Sequence, residues 1–248
     1  LRTIVGIFLF GIQTYFLSKA FGYLIRITIY FFEPSLLDQE IFLIFFLGMN
    51  IIDWVSIIVA LIFQSVLFSI GMNFNKKLIR ISAISVYIGL VIFFFSVLLS
   101  DVKFTSKAFM NILDLGNFLD KENFGPLITV AGTIFAYFSI VILSFGDFSR
   151  YVKSQSELNK GNLSLLLNLI IFSFFALFIV SGVDAYLKQD PENLSRILTN
   201  PTDIIGVLDN ILLTNLALVF IIIASASTNL IANFIPSQYT LILSLIHI

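Results

Sequence analysis

Six stretches of this chain are apolar for long enough to cross a lipid bilayer, and that feature restricts the fold more than any other. They cover roughly residues 3–25, 51–72, 79–100, 126–145, 163–183 and 207–234. A helix needs about 20 mostly apolar residues to span the hydrocarbon layer. The third and fifth stretches carry no charge in their interiors; the first contains Lys19, which must snorkel or face protein. A seventh apolar run, 41–50, is too short to cross and reads as an interfacial or re-entrant segment. Apolar residues make up 58% of the chain and charged ones 12%, against about 45–50% and about 25% in a soluble domain. A soluble fold cannot hide that much apolar surface, whereas lipid solvates it. The mean hydropathy of +1.02 agrees. The expected class is therefore an all-α polytopic membrane protein with about six transmembrane helices.

Composition also removes several kinds of chemistry. With no cysteine, disulfides and thiolate metal sites are excluded, and the single histidine, His247, stands next to the end. A net charge of −1 gives no reason to expect nucleic acid as a partner. HExxH and GxSxG patterns, phosphate-binding glycine loops and acid clusters within a span are all missing, so an enzyme is not expected and no cofactor is implied. The chain begins at Leu1, is apolar by Ile4 and stops directly after an apolar run. It reads as a piece with both ends missing, and residues 239–248 as an appended tail of no weight.

Loop charges orient the spans. The connection NFNKKLIR carries Lys76, Lys77 and Arg80 without an acid, and DFSRYVKSQSELNK carries Arg150, Lys153 and Lys160 against Asp147 and Glu157. The alternate connections are acidic: Glu33, Asp38 and Glu40; Asp101, Asp114, Asp120 and Glu122; Asp184, Asp190, Glu192 and Asp203. The basic connections are expected in the cytoplasm, so the first span runs outward. Within the 101–125 loop, residues 107–121 space Phe109, Ile112, Leu113, Leu115, Phe118 and Leu119 as an amphipathic surface helix.

A polar side chain at mid-bilayer depth needs a partner, so polar residues inside spans mark helix contacts or a path. Three places stand out. Gln13, in LFGIQTYF, offers two donors and an acceptor, which suits the edge of an amide or ureide and equally an interhelical bond. In SASTNLIAN, Ala224, Ser227 and Thr228 share one helix face, and Asn229 and Asn233 repeat four apart. Hydroxyl oxygens and a freed carbonyl suit Na⁺; small-residue helix packing suits them as well. The fourth span follows Gly125-Pro126 and contains Gly132 and Thr133, which permits a discontinuous helix. Phe135, Tyr137 and Phe138 follow, as packing or as a stacking face for a flat ring.

Three motifs carry a resemblance. FGIQTY (10–15), GDFSRYVKSQSE (146–157) and STNLIANFIPS (227–237) resemble, in order and spacing, WFGIQTW, PDFTRYAKSQ and TTNIAANVVSPA of the nucleobase–cation symporter family one. Members of that family carry purines, cytosine, uracil, allantoin, hydantoins, thiamine and similar compounds. The resemblance implies a partial five-plus-five inverted-repeat transporter fold comprising family helices three to eight. Residues 1–100 would end the first repeat, 101–125 form the extracellular loop, and 126–238 begin the second repeat.

By the same resemblance Gln13 and Asn233 hydrogen-bond the substrate and Phe138 stacks on it. Ala224, Ser227 and Thr228 form half of a sodium site, with Na⁺ or H⁺ as the coupling ion. The implied activity is cation-coupled uptake of a nucleobase or related nitrogen heterocycle across a bacterial-type inner membrane. A same-fold symporter for a vitamin or amino-acid-like cargo, or an inactive fragment or non-transport membrane protein, is the alternative. Leu9 stands where the family often has a second stacking tryptophan, a loss of roughly 1 kcal/mol of ring recognition. Gly146 replaces a proline and Ser149 a threonine. Asp147 and Arg150, at the cytoplasmic end of span four, suit an inner gate or a plain interfacial cap.

Overall fold

The computed structural model describes residues 2–100, 102–113, 116, 121–149, 152–188, 201–206 and 211–245. Helix α1 (Arg2–Phe32) leads into a 3₁₀ turn (Pro34–Asp38) and the short α2 (Glu40–Leu43). Then come α3 (Ile51–Ser69), α4 (Met72–Ser100), α5 (Val102–Ile112), α6 (Lys121–Leu143), α7 (Phe145–Ser149) and α8 (Gln155–Lys188). A short α9 (Pro201–Gly206) precedes α10 (Ile211–Asn229), a π turn (Leu230–Phe234) and α11 (Ile235–Leu245). Six helical segments among the described residues are long and apolar enough to cross a membrane, one for each expected span. The chain is an all-α, multi-pass integral membrane protein.

The helices overrun the apolar windows, because those windows measure hydrocarbon thickness rather than helix length. The connection expected at 72–80 shrinks to Ile70–Gly71, and Lys76, Lys77 and Arg80 lie on the opening turns of α4. Lysine and arginine are good helix formers, so charge moves the membrane boundary without ending the helix. Gly71 turns the chain at φ +112°, a backbone region that suits glycine. Residues 46–49 close a tight turn through positive φ at Leu47 and Gly48, and this part of the 41–50 run is exposed. Span four is a continuous helix, although its glycines and proline would permit a break. Helix α6 starts at Lys121 and passes through Pro126, which costs the bond to the Glu122 carbonyl and leaves the later ladder intact. Residues 239–245 are part of α11.

The contacts gather into two compact units. One comprises residues 1–87 and 205–248, the other 88–204. In the first, α1 is central and packs on α3, α10, the π turn and α11. Leu9, Leu17 and Ala20 of α1 are buried, with Ala60 and Leu67 of α3 and Ala217, Leu218 and Ala226 of α10. Small residues let helices approach closely in lipid, where packing rather than water expulsion drives association. Gly6 leaves room for the Ser237 hydroxyl of α11, which a Cβ there would force to turn aside.

In the second unit α5 packs on α8. Phe94 of α4, Phe109 of α5 and Phe174, Phe175 and Phe178 of α8 make a cluster of rings, with Phe94 and Phe178 4.3 Å apart. Within the stretch read as an amphipathic surface helix, 107–121, residues 107–112 are helical. The helix spans Val102–Ile112, and Phe109 is buried against α8 because a ring face there accepts its apolar edge. Residues 114, 115 and 117–120 lie outside the described ones.

Candidate functional site

The polar residues of the first unit gather where α1, α3 and the end of α10 meet. On α1, residues 6, 10, 13, 14 and 17 recur three and four apart and so share a face. Gln13 and Thr14 are buried there at 8% and 4% exposure. On α3, Gln64 is buried at 1%, and on the last long helix Asn229 and Asn233 are buried at 0% and 5%. Such amides do not stay in a hydrocarbon-facing core without partners.

Four of these side chains form one network. The Thr14 hydroxyl donates to the Phe10 carbonyl at 2.8 Å and accepts from Gln64 Nε2 at 3.0 Å. Asn229 Nδ2 donates to Gln64 Oε1 at 2.6 Å and approaches Thr14 Oγ1 at 3.2 Å and the Phe10 carbonyl at 3.3 Å. Asn233 Nδ2 donates to Asn229 Oδ1 at 2.8 Å. Asn233 Oδ1 is buried and has no partner, and the same holds for the Ser237 hydroxyl one turn later.

Backbone geometry sets up this end of the network. Ile235 N–H bonds the Leu230 carbonyl five residues back, so the turn is wide. Pro236 gives the reason. It has no N–H for the Ala232 carbonyl, and its ring would strike that carbonyl in a regular α-helix; one wide turn just before it removes the clash. Asn233 sits inside that turn. Alongside, Phe10, Phe68 and Phe234 stand within 4.9–6.5 Å of one another, centroid to centroid. A cavity of about 260 Å³ opens next to them, lined by Gly6, Ile7, Phe10, Asn233, Phe234, Ser237, Gln238 and Leu241.

Two other polar groups tie helices in this unit. Ser227 is buried with its hydroxyl 2.7 Å from that of Ser82 on α4, and it also bonds the Ala224 carbonyl at 2.9 Å. Thr228, the next residue, is exposed, and Ala224 is half-buried. The three residues on one helix face therefore sit in different surroundings, and the Ala224 carbonyl is taken by a hydroxyl rather than freed. At the start of α3, Asp53 caps the helix together with Asn50 and lies 3.0 Å from Arg26 and 3.6 Å from Lys19. Lys19 thus faces protein, with its ammonium 5.0 Å from the Tyr15 ring centre.

Of the residues singled out from sequence, Gln13 and Asn233 are buried on elements that pack together. Phe138 belongs to the second unit, half-buried on α6. Leu9 is a core residue. Thr133 bonds its own helix at the Thr129 carbonyl, 2.8 Å away. Asp147 is half-buried, while Arg150 lies outside the described residues. Sequence reasoning missed Gln64, Thr14 and Ser82. Gln64 had a signal: a lone amide in the middle of a span, the same criterion that picks Gln13.

Among curated proteins the chain is similar to the purine-uracil permease NCS1 of Arabidopsis thaliana, 26% identical over 252 residues. That similarity covers 98% of this chain and 38% of the relative, so the chain spans well under half of the relative's length. No protein-family model and no solved structure matches the chain.

Proposed function

We propose that this chain, a relative of the nucleobase–cation symporters of family one, is the central part of a transporter that moves a nucleobase-like ring across a membrane. The observation that carries the proposal is the Asn233 amide. It is buried between packed spans, held from one side, and keeps an unbonded acceptor. An amide so placed is costly unless something hydrogen-bonds its free end, and an uncharged ring with amide edges fits that need.

In this reading Gln13 and Asn233 contact the polar edge of the ring, and Phe138 supplies a stacking face. A cation, Na⁺ or H⁺, couples to transport through Ala224, Ser227 and Thr228; its binding favours one conformation and so raises affinity for the ring by linkage. The basic segments around Lys76 and Lys153 face the cytoplasm, in a plasma membrane of bacterial type. The similarity to a purine-uracil permease supports the cargo class. A second cargo, a vitamin or an amino-acid-like solute, is carried as the alternative because Leu9 stands where the family often has a stacking tryptophan.

The test is uptake in the full-length context. Asn233→Ala is expected to abolish saturable uptake of labelled uracil or adenine while the protein remains in the membrane; unchanged uptake would refute the site. Thr228→Ala is expected to weaken ring binding in sodium and to leave it unaltered without sodium. Competition by unlabelled nucleobases, vitamins and amino acids separates the two cargoes.

A further inference from the structure

The network has a direction, fixed by atoms that cannot exchange roles. The Phe10 carbonyl can only accept, so the Thr14 hydroxyl, 2.8 Å away, must donate to it. With its one hydrogen committed, Thr14 Oγ1 can only accept from Gln64 at 3.0 Å, which turns the Gln64 NH₂ toward α1. Gln64 then presents its oxygen to Asn229 at 2.6 Å, so Asn229 must direct its NH₂ there. The same NH₂ lies 3.3 Å from the Phe10 carbonyl, where an amide oxygen would be repelled. Asn229 is left presenting Oδ1, which accepts from Asn233 Nδ2 at 2.8 Å. The last free atom is Asn233 Oδ1, an acceptor that is 5% exposed at the residue level and without a partner.

From this polarity we infer that Thr14, Gln64 and Asn229 are positioning residues that lock the Asn233 amide with its carbonyl outward, so that the site accepts a ring through an N–H donor and rejects one methylated at that nitrogen. The inference rests on the proposed role of Asn233 at the substrate site. Gln64 is the decisive link, because it alone joins α3 to both Thr14 and Asn229. Without it the Asn229 NH₂ keeps only its longer contacts, 3.2 Å to Thr14 Oγ1 and 3.3 Å to the Phe10 carbonyl, so the hold on the Asn229 amide weakens and the reversed orientation of the Asn229 and Asn233 amides becomes populated. The terminal group then presents donor and acceptor alike, and the distinction between N–H and N–CH₃ ligands disappears. The unpartnered Ser237 hydroxyl on the adjacent turn both donates and accepts, so it does not restore the distinction.

The experiment measures inhibition of labelled uracil uptake by 1-methyluracil and by 3-methyluracil, in the full-length protein at matched membrane abundance. The unmodified protein is expected to bind one of the two methyl derivatives at least about tenfold more weakly than uracil, since a site built for a buried hydrogen bond strongly rejects a ligand that cannot make it. Gln64→Met, close in volume, is expected to reduce that gap to less than about threefold while uptake persists. Should Gln64→Met fail to reach the membrane, Thr14→Val removes the anchoring hydroxyl with little change of shape and is expected to narrow the gap likewise. An undiminished gap in the variant tested, with Asn233→Ala inactive, would overturn the relay and leave Asn233 as a substrate contact. Inhibition by both derivatives as strong as that by uracil itself in the unmodified protein would overturn the acceptor assignment. Absence of saturable uracil uptake, or full uptake by Asn233→Ala, would overturn the relay together with the site reading.

Discussion

The two compact units hold themselves together by different means. In the first, helices meet through amides and hydroxyls: Thr14, Gln64, Asn229 and Asn233 in one network, Ser82 with Ser227 in another, and Asp53 with Arg26 at the start of α3. In the second, the described contacts between helices are mainly rings, with one long hydrogen bond from the Thr105 hydroxyl to the Val97 carbonyl at 3.5 Å and a close approach at Gly182, where a Cβ would strike Val97 and Thr105. In lipid both strategies bring helices together, but their tolerances differ. A ring cluster asks only for volume and shape. A hydrogen-bond network asks that every donor meet an acceptor, and one wrong atom leaves several groups unsatisfied. The first unit therefore fixes atoms as well as shape, and that is where a ligand-reading group belongs.

Substitutions that remove polarity in the first unit, set beside ones that change shape in the second, put the contrast at risk. The largest effect is expected for Asn229→Leu, which strips partners from Gln64, Thr14 and Asn233 at once. A loss of about 3 kcal/mol should appear in denaturant unfolding of the purified protein, by the cost of stranding buried polar groups. Gly182→Ala in the second unit should cost about 2 kcal/mol in the same assay, since a new methyl must displace Val97 and Thr105. Phe178→Leu, within the ring cluster, is expected to cost about 1 kcal/mol, mainly lost ring–ring contact. Smallest is Ser82→Ala, about 0.5 kcal/mol, because Ser227 retains its bond to the Ala224 carbonyl. If Phe178→Leu proved worse than Asn229→Leu, the division of labour between the units would be wrong.

The spans were legible because twenty apolar residues leave a compositional mark that no local choice of side chain hides. Their ends were not, since Lys76, Lys77 and Arg80 continue α4 as readily as apolar residues would. The α5 stretch was read as amphipathic, but whether its apolar edge meets lipid or Phe174 and Phe178 is a tertiary matter that spacing does not encode. At the site, Gln13 and Asn233 were visible as polar groups within apolar runs. Gln64 was equally visible and was passed over, because its partners lie 50 and 165 residues away and nothing local announces them. The π turn was hidden for another reason: Pro236 marks a disturbed ladder without saying that it is relieved by a wider turn.

Centrally, the Thr14 hydroxyl of α1, the Gln64 amide of α3 and the Asn229 and Asn233 amides of the last long helix act as one unit ending at Asn233. A double-mutant cycle between Gln64→Met and Asn229→Leu, read by unfolding of the purified full-length protein, addresses it most directly. Breaking either member should remove most of the shared stabilisation, so the double variant is expected to be more stable than the sum of the singles implies, by about 1 kcal/mol or more. Costs that add to within about 0.3 kcal/mol would mean that Gln64 and Asn229 act independently, and the account would be contradicted.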